Sequence, residues 1–461
     1  MTAPAYSIVQ YPHHNPGASS PLTLTLIVVP NTSPEQVVAN VKANTEQPLE
    51  WLKFQSETPK PAIIVGGGPS AADHLDTIRH LRLEGGVIFA TNGASRWLRK
   101  HNIMPDWQVI ADPQARTAQL VDPQARGHLF SSAVDPTTLA RVATPILWHR
   151  YMEGVENLFP EHRQREEYAL IGGTSAGTHA MCLTYAMGHR EVHCFGFDSS
   201  HRAGKGHAYR QPMNDSIETC QVSWAGITYQ ASIAMKAQAE SFMILARNIE
   251  EAGVTLKVHG DGLLPAMWNT PTEHLCERDK YRLMWAFDVY RQVSPGEDLT
   301  PFILKLLQPD GLTVDFGCGT GRASLAMAKQ GIDVLQVDFA DNCRDHESIV
   351  LPFLEWDLTK PLPVTAPYGL CCDVMEHIPP DDVNAVARNI MQAARKVFFS
   401  IATVPDACGA LIHEDLHLTV RPHEWWLEML QQYGIATYAM KRADDSLFVL
   451  VAPPSTTPTG D

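Results

Sequence analysis

Val314-Asp315-Phe316-Gly317-Cys318-Gly319-Thr320-Gly321 is an apolar, strand-like run that enters three alternate glycines and then a helix-forming segment. Glycines there let the main chain turn tightly and let a ligand approach peptide N–H groups, while the helix start adds a positive dipole end. Seventeen residues past Gly321 the next strand-like run ends in Asp338, a carboxylate placed to accept from two ribose hydroxyls. Glu355-Trp356-Asp357 then closes a third run with a polar group and an aromatic suited to an adenine edge and face. Three strand ends in this order predict a doubly wound α/β domain that binds a nucleoside. The glycine spacing is not Gly-x-Gly-x-x-Gly, which argues against a nicotinamide or flavin site.

The same strand-helix alternation continues outward. Downstream come PYGLCCDVM, KVFFSIATV and TYAMKRADDSLFVLVAP, the last read as an antiparallel hairpin at the sheet edge. Upstream, Glu277 to Val293 reads as one amphipathic helix stopped at the breaker Pro295-Gly296. Before residue 270 lies the chain's first series of strand-like runs, which alternates with helical patterns: PAIIVGG, GVIFATN, WQVIAD, PILWH, YALIGG and EVHCFGFD. A helical stretch from Ile227 to about Gly253 and the strand VTLKVHG close that series. The expected architecture is α/β, with two tandem Rossmann-like doubly wound domains over 59–270 and 271–453. Residues 1–58 read as an appendage, with a helix from Pro34 to about Phe54 capped by Ser33, and the Pro/Thr-rich 454–461 as a disordered tail. Asp-Pro-Gln-Ala-Arg occurs twice, at 112–116 and 122–126, too short a period for a solenoid.

Composition bounds the function. Of 461 residues, 44% are hydrophobic and 19% charged, ordinary values for a folded globular chain. The net charge is -15, with 21 basic against 24 acidic residues through residue 270 and 15 against 27 beyond it. Such a field repels nucleic acid and anionic membranes. Nine cysteines without a CxxC pair suit a reducing compartment, and no early segment reads as an export signal or a membrane span, so a cytoplasmic location is expected.

The second series resembles the class I S-adenosylmethionine-dependent methyltransferases over roughly residues 275 to 453. DFGCGTG looks like that family's first motif, which implies Asp315 near the methionine amino group and Gly317, Gly319 and Gly321 under the cofactor. Asp338 matches the ribose acid, and Trp356 and Asp357 fall where the adenine is held. Asp373-Val374-Met375-Glu376-His377-Ile378-Pro379 resembles the motif bordering the reacting methyl, with Asp373 toward the cofactor and His377 either a packed residue or a proton acceptor. Helix Glu277 to Val293 resembles the segment that closes over the cofactor. His413, Glu414, His417, Arg421 and His423 precede Trp425-Trp426, where relatives contact substrate; a solvated helix cap is the alternative. There is no Asn/Asp-Pro-Pro-Tyr or Pro-Cys signature, so a small molecule or sugar is expected as acceptor rather than a nucleic-acid base. Methyl transfer from a sulfonium depends on positioning more than on a strong base.

The first series carries GGGPS, TNGA, PDWQVIADP, GGTSAG and GFDSS…GKGHA, and resembles the DUF115 family over roughly residues 60 to 215. That family includes 6-hydroxymethylpterin diphosphokinases and motility accessory factors. The likeness implies a nucleotide-dependent transferase using ATP or a nucleotide sugar. On it Gly66, Gly68 and Ser70 hold the nucleotide, Asn92 and Asp112 line the cleft, and Asp198 and His207 sit near the reacting groups. Asp198 and Asp112 suit Mg²⁺ on a diphosphate, or equally serve as helix caps. His193, Cys194, His201 and His207 fit no standard zinc spacing, so no metal ligand set is assigned.

The leading expectation is a methyltransferase fused to a transferase-like, glycosyltransferase-related nucleotide module, acting on a glycan or small molecule. The alternatives for the first module are a pterin-type diphosphokinase and a non-catalytic module that delivers substrate.

Overall fold

The structure is a computed structural model that describes residues 7–13, 22–28, 31–150, 169–170, 172–210, 218–271, 275–294, 296–412 and 414–453. The expected tail, His413 and Pro295 lie outside them. From Leu26 onward the chain divides into two compact units that part between Thr270 and Pro271, and the described residues of Gln10–Thr25 group with the second.

The first unit is built on a parallel sheet of β1 (Glu50–Trp51), β2 (Ala62–Val65), β3 (Val87–Thr91), β4 (Trp107–Ile110), β5 (Gly127–Ser131), β6 (Ile146–Arg150), β7 (Glu191–Phe195) and β8 (Thr255–Val258). Their spatial order is β8-β7-β2-β3-β4-β5-β6-β1, with the short strand Ala169–Leu170 also on β6. The chain winds one way from β2 through β6 and then returns to the other side as β7, so the order reverses between β2 and β7. That reversal opens a crevice at the carboxyl ends of those two strands. β2 is fully buried, as expected of a strand covered on both faces.

Residues 34–51 are no appendage to this sheet. Helix Pro34–Thr45, capped by Ser33, is shorter than expected, and the chain after it forms β1, parallel to β6. Two buried asparagines fasten the helix. Asn40 Nδ2 donates to Pro113 O and Ala133 O at 3.0 Å, and Asn44 Nδ2 donates to Ser132 O at 2.9 Å and Val134 O at 2.7 Å. Asn44→Ala would leave two buried carbonyls without donors, so this unit should lose about 2–4 kcal/mol, read as a lower urea midpoint of its transition. An unchanged midpoint would show that the helix is not anchored there.

Ile227 does not start a helix either. Ala225 and Gly226 both adopt positive φ (48° and 80°), which turns Cys220–Trp224 back onto Ile227–Ala231 as a hairpin. A two-residue turn of this hand matches strand twist and overrides the helical composition. The helix begins at Ile233, capped by Ser232, and runs to Glu251.

The second unit contains β9 (Thr313–Phe316), β10 (Val334–Asp338), β11 (Phe353–Glu355), β12 (Ala366–Cys372), β13 (Ala394–Ala402), β14 (Ile435–Lys441) and β15 (Asp445–Val451). The order is β11-β10-β9-β12-β13-β15-β14; the first five are parallel, and β15 runs antiparallel to both neighbours. Val397 and Phe399 enter one core and Phe398 the other, and in β15 Phe448 and Leu450 alternate with Leu447 and Val449 in the same way. Both sheet faces are therefore covered, and the order reverses between β9 and β12.

The expected single helix from Glu277 to Val293 is broken into Glu277–Met284 and Asp288–Arg291. Phe287 sits between them in extended conformation and is fully buried. Arg291 pins the bend by donating to Trp285 O at 2.8 Å, Cys343 O at 2.8 Å and Asp345 Oδ1 at 3.0 Å.

Candidate functional site

In the second unit the reversal point carries the glycine turn. Gly317, Gly319 and Gly321 all have left-handed φ (72°, 49° and 72°), a region that a side chain disfavours. A Cβ on Gly321 would stand 2.2 Å from Gln336 Nε2, and one on Gly317 would stand 2.4 Å from Val374. Gly319 is overlain by Trp285, 3.0 Å from where its Cβ would lie. The broken helical segment thus covers the turn, with Tyr290 against Trp285 at 4.7 Å between ring centroids.

Asp338 ends β10 beside the turn. Its Oδ2 accepts from Gly319 N at 3.0 Å and its Oδ1 from Ala340 N at 2.9 Å. Burial raises its pKa and those N–H groups oppose the rise. Asp315 lies beneath, fully enclosed, accepting from Ser324 Oγ at 2.6 Å; burial pushes it up to about 7. Trp356 packs against the core and donates its backbone N–H to Asp338 O at 2.9 Å, while its buried Nε1 has no partner. Asp357 follows as an Asx turn, accepting from Thr359 N at 2.9 Å. Glycines that a Cβ would foul, a strand-end carboxylate with spare lone pairs and an indole N–H awaiting an acceptor together fit an adenosine-type cofactor.

A cavity of about 440 Å³ opens beyond Tyr290, lined also by Asp373, His377, Asp406, His417 and Arg442. Asp373 holds a left-handed φ of 58° at the end of β12. His377 Nδ1 lies 2.6 Å from Tyr281 Oη and 3.1 Å from Leu416 O. Burial lowers its pKa to about 3, so the imidazole is neutral. His417, one of the five residues before Trp425-Trp426, meets His377 edge to face at 4.6 Å. The others part company: His423 Nδ1 pairs with Ser446 Oγ at 3.0 Å, and the Arg421 guanidinium lies over Trp425. Asp406 and Arg442 were not legible as site residues, because the segment after β13 and the β14–β15 hairpin turn, far apart in sequence, meet only at this cavity.

In the first unit GGGPS follows β2 at the crevice. Gly66 N donates to Phe195 O at 2.7 Å, Gly68 N to Gly196 O at 2.9 Å and Ser70 N to Asp198 Oδ2 at 3.2 Å. These N–H groups serve loop-to-loop packing, so they are not open to a phosphate in this conformation, and Ser70 lies inside the 3₁₀ turn rather than capping it. A Cβ on Gly68 would stand 2.0 Å from Asp198 Oδ2. Asp198 is buried, which raises its pKa against the Ser70 N–H. His207 does reach the turn: its Cδ2 is 3.0 Å from a Cβ built on Gly67. Asn92 ends β3 with a positive φ of 48° and a buried, unpartnered Oδ1.

Asp112 accepts from Gln114 N at 2.9 Å and Asn31 Nδ2 at 3.0 Å; Asp122 makes the same Asx turn with Gln124 N at 3.2 Å. The duplicated pentapeptide is thus one turn used twice. Among the described residues neither Asp198 nor Asp112 joins a cluster able to hold a metal ion. His193 pairs with His259 and Glu191 instead of with Cys194, His201 or His207.

No helix of the described residues is long and apolar enough to cross a membrane. No curated protein matches the chain. Among solved structures, the MAf glycosyltransferase of Magnetospirillum magneticum is 18% identical over 59% of this chain and 46% of its own, with a TM-score of 0.38. The magnesium protoporphyrin IX methyltransferase of Synechocystis, solved with bound SAM, is 16% identical over 40% of this chain and 100% of its own, with a TM-score of 0.30. Residues 35–204 match the family model described as 6-hydroxymethylpterin diphosphokinase MptE-like. Residues 35–204 are therefore similar to the MptE-like family, and residues 271–453 form a separate Rossmann-like α/β unit.

Proposed function

We propose that the chain is a two-module transferase in which residues 271–453 bind S-adenosylmethionine and methylate a hydroxyl of a small molecule or glycan. The observation that carries this reading is the left-handed glycine turn with Asp338 at the next strand end, overlain by Trp285, whose neighbour Tyr290 lines the 440 Å³ cavity. When bound, the cofactor supplies an electrophilic methyl group. Asp338 would orient its ribose, Asp315 its amino group and Trp356 its adenine, while Trp285 and Tyr290 exclude water. Asp373 and His377 would position the acceptor. The nine free cysteines fit a reducing, cytoplasmic setting.

For residues 34–270 we propose a nucleotide-dependent transferase with His207 and Asn92 at the crevice. The family match favours a second reading, diphosphoryl transfer from ATP to a pterin-type alcohol. The internally bonded GGGPS N–H groups favour a third, a module that delivers substrate without turnover. AMP release from ATP supports the second. Nucleotide release from a sugar donor supports glycosyl transfer, and neither supports the third. For the methyltransferase, full-length protein titrated with S-adenosylhomocysteine should give a saturable heat at one site per chain, and a flat titration of folded protein would end the reading.

A further inference from the structure

The DVMEH turn after β12 does more than border a cofactor. One donor atom each from Asp373, Glu376, His377 and His417 lie within 4.8 Å of one another. Three of these residues line the cavity, and Glu376 is wholly buried behind them. Glu376 Oε1 accepts from Ala402 N at 2.6 Å, whereas Oε2 is buried with no donor. A carboxylate oxygen left bare inside a protein is costly unless a cation or a proton meets it.

The histidines are held ready for a cation. His417 Nδ1 faces Val404 O at 2.7 Å. A carbonyl only accepts, so Nδ1 carries the hydrogen and Nε2 keeps its lone pair. His377 Nδ1 lies 2.6 Å from Tyr281 Oη and 3.1 Å from Leu416 O; with Tyr281 Oη donating its hydrogen to that same carbonyl at 3.3 Å, the hydroxyl accepts from the ring, so Nδ1 carries the hydrogen here too. Ring N–H groups fixed on carbonyls are the usual support of metal-bound imidazoles. Lys280, a nearby cation, is engaged by Glu277 at 2.8 Å.

We propose that Asp373, Glu376, His377 and His417 form a divalent metal site on the wall of the acceptor cavity. Two imidazoles with two carboxylates suit first-row ions such as Mn²⁺, Fe²⁺, Co²⁺ or Zn²⁺ better than Ca²⁺ or Mg²⁺. Because Asp373, His377 and His417 line the cavity, an ion among them is within reach of a molecule there. The acceptor class that fits is a molecule with two neighbouring oxygens, such as a sugar diol, chelated by the ion. This role rests on the methyltransferase reading. Coordination acidifies one hydroxyl, whose proton leaves to water. That oxygen forms the new O–CH₃ bond as the S–CH₃ bond breaks, its electron pair passing to sulfur to give the neutral thioether.

The test uses chelator-stripped full-length protein titrated with MnCl₂, following the loss of the free-ion EPR signal, beside a separate calorimetric titration with S-adenosylhomocysteine. One Mn²⁺ per chain is expected. His417→Ala and Glu376→Gln should each weaken it at least tenfold, with the nucleoside titration of His417→Ala unchanged as proof of folding. Absence of saturable Mn²⁺ or Zn²⁺ binding, or equal Mn²⁺ affinity in folded His417→Ala, overturns the site even if the nucleoside binds. Metal binding without nucleoside binding keeps the site and overturns its role in methyl transfer.

Discussion

Asp338→Ala is expected to weaken S-adenosylhomocysteine binding by about 100- to 1,000-fold in calorimetry of the full chain. Hydrogen bonds to an ionised carboxylate are worth about 1.5–3 kcal/mol each, and a ribose offers two hydroxyls to this one group. The residue also holds Gly319 N and Ala340 N, so its removal loosens the glycine turn as well. Asp338→Asn separates the two effects. Its single carbonyl oxygen can keep the Gly319 contact, but its amide then faces the Ala340 N–H and cannot accept from the second hydroxyl. The asparagine variant should therefore fall between wild type and alanine both in affinity and in its thermal transition. If both variants bind as tightly as wild type, Asp338 is only a loop brace and the ribose lies elsewhere.

The legible part of this protein lies where local chemistry and topology coincide. DFGCGTG and Asp338 could be read together because strand ends in an open parallel sheet meet at the reversal of strand order, whatever the intervening helices do. The hairpin Ile435–Val451 was equally plain from its alternation. Composition failed where long-range packing decides. Burial of Phe287 breaks a helix that periodicity favours, and Ala225-Gly226 makes a turn that a weak glycine signal does not announce. The GGGPS loop shows a subtler failure. Its glycines do have a backbone to approach, but it is the Gly196–Asp198 loop of the same chain rather than a phosphate. Glu376 and His417 stand forty-one residues apart, and only the path of β13 and its crossover brings their donor atoms together.

Cofactor affinity should also rise with pH, and Asp315 is the reason. In the free protein burial holds its carboxyl up to about 7, with Ser324 opposing the rise and the Asp338 charge adding to it. An ammonium partner requires the carboxylate, so below 7 binding must first remove a proton. Apparent affinity then drops nearly tenfold per pH unit, or roughly thirtyfold from pH 7.5 to 5.5. The free protein responds in the opposite sense. The folded pKa lies above the ordinary carboxyl value of 3.8, so the stability Asp315 contributes is fully present below that value and is lost as pH rises through about 7. Ligand-free protein should therefore lose stability in its second unit between pH 5 and pH 8, and S-adenosylhomocysteine should restore it most at the upper end. Asp315→Asn cannot ionise: its thermal transition should flatten across this range, and its affinity should be weak and independent of pH. Wild-type affinities that agree at pH 5.5 and 7.5 would remove Asp315 from the cofactor's amino group and leave it a buried strut for Ser324.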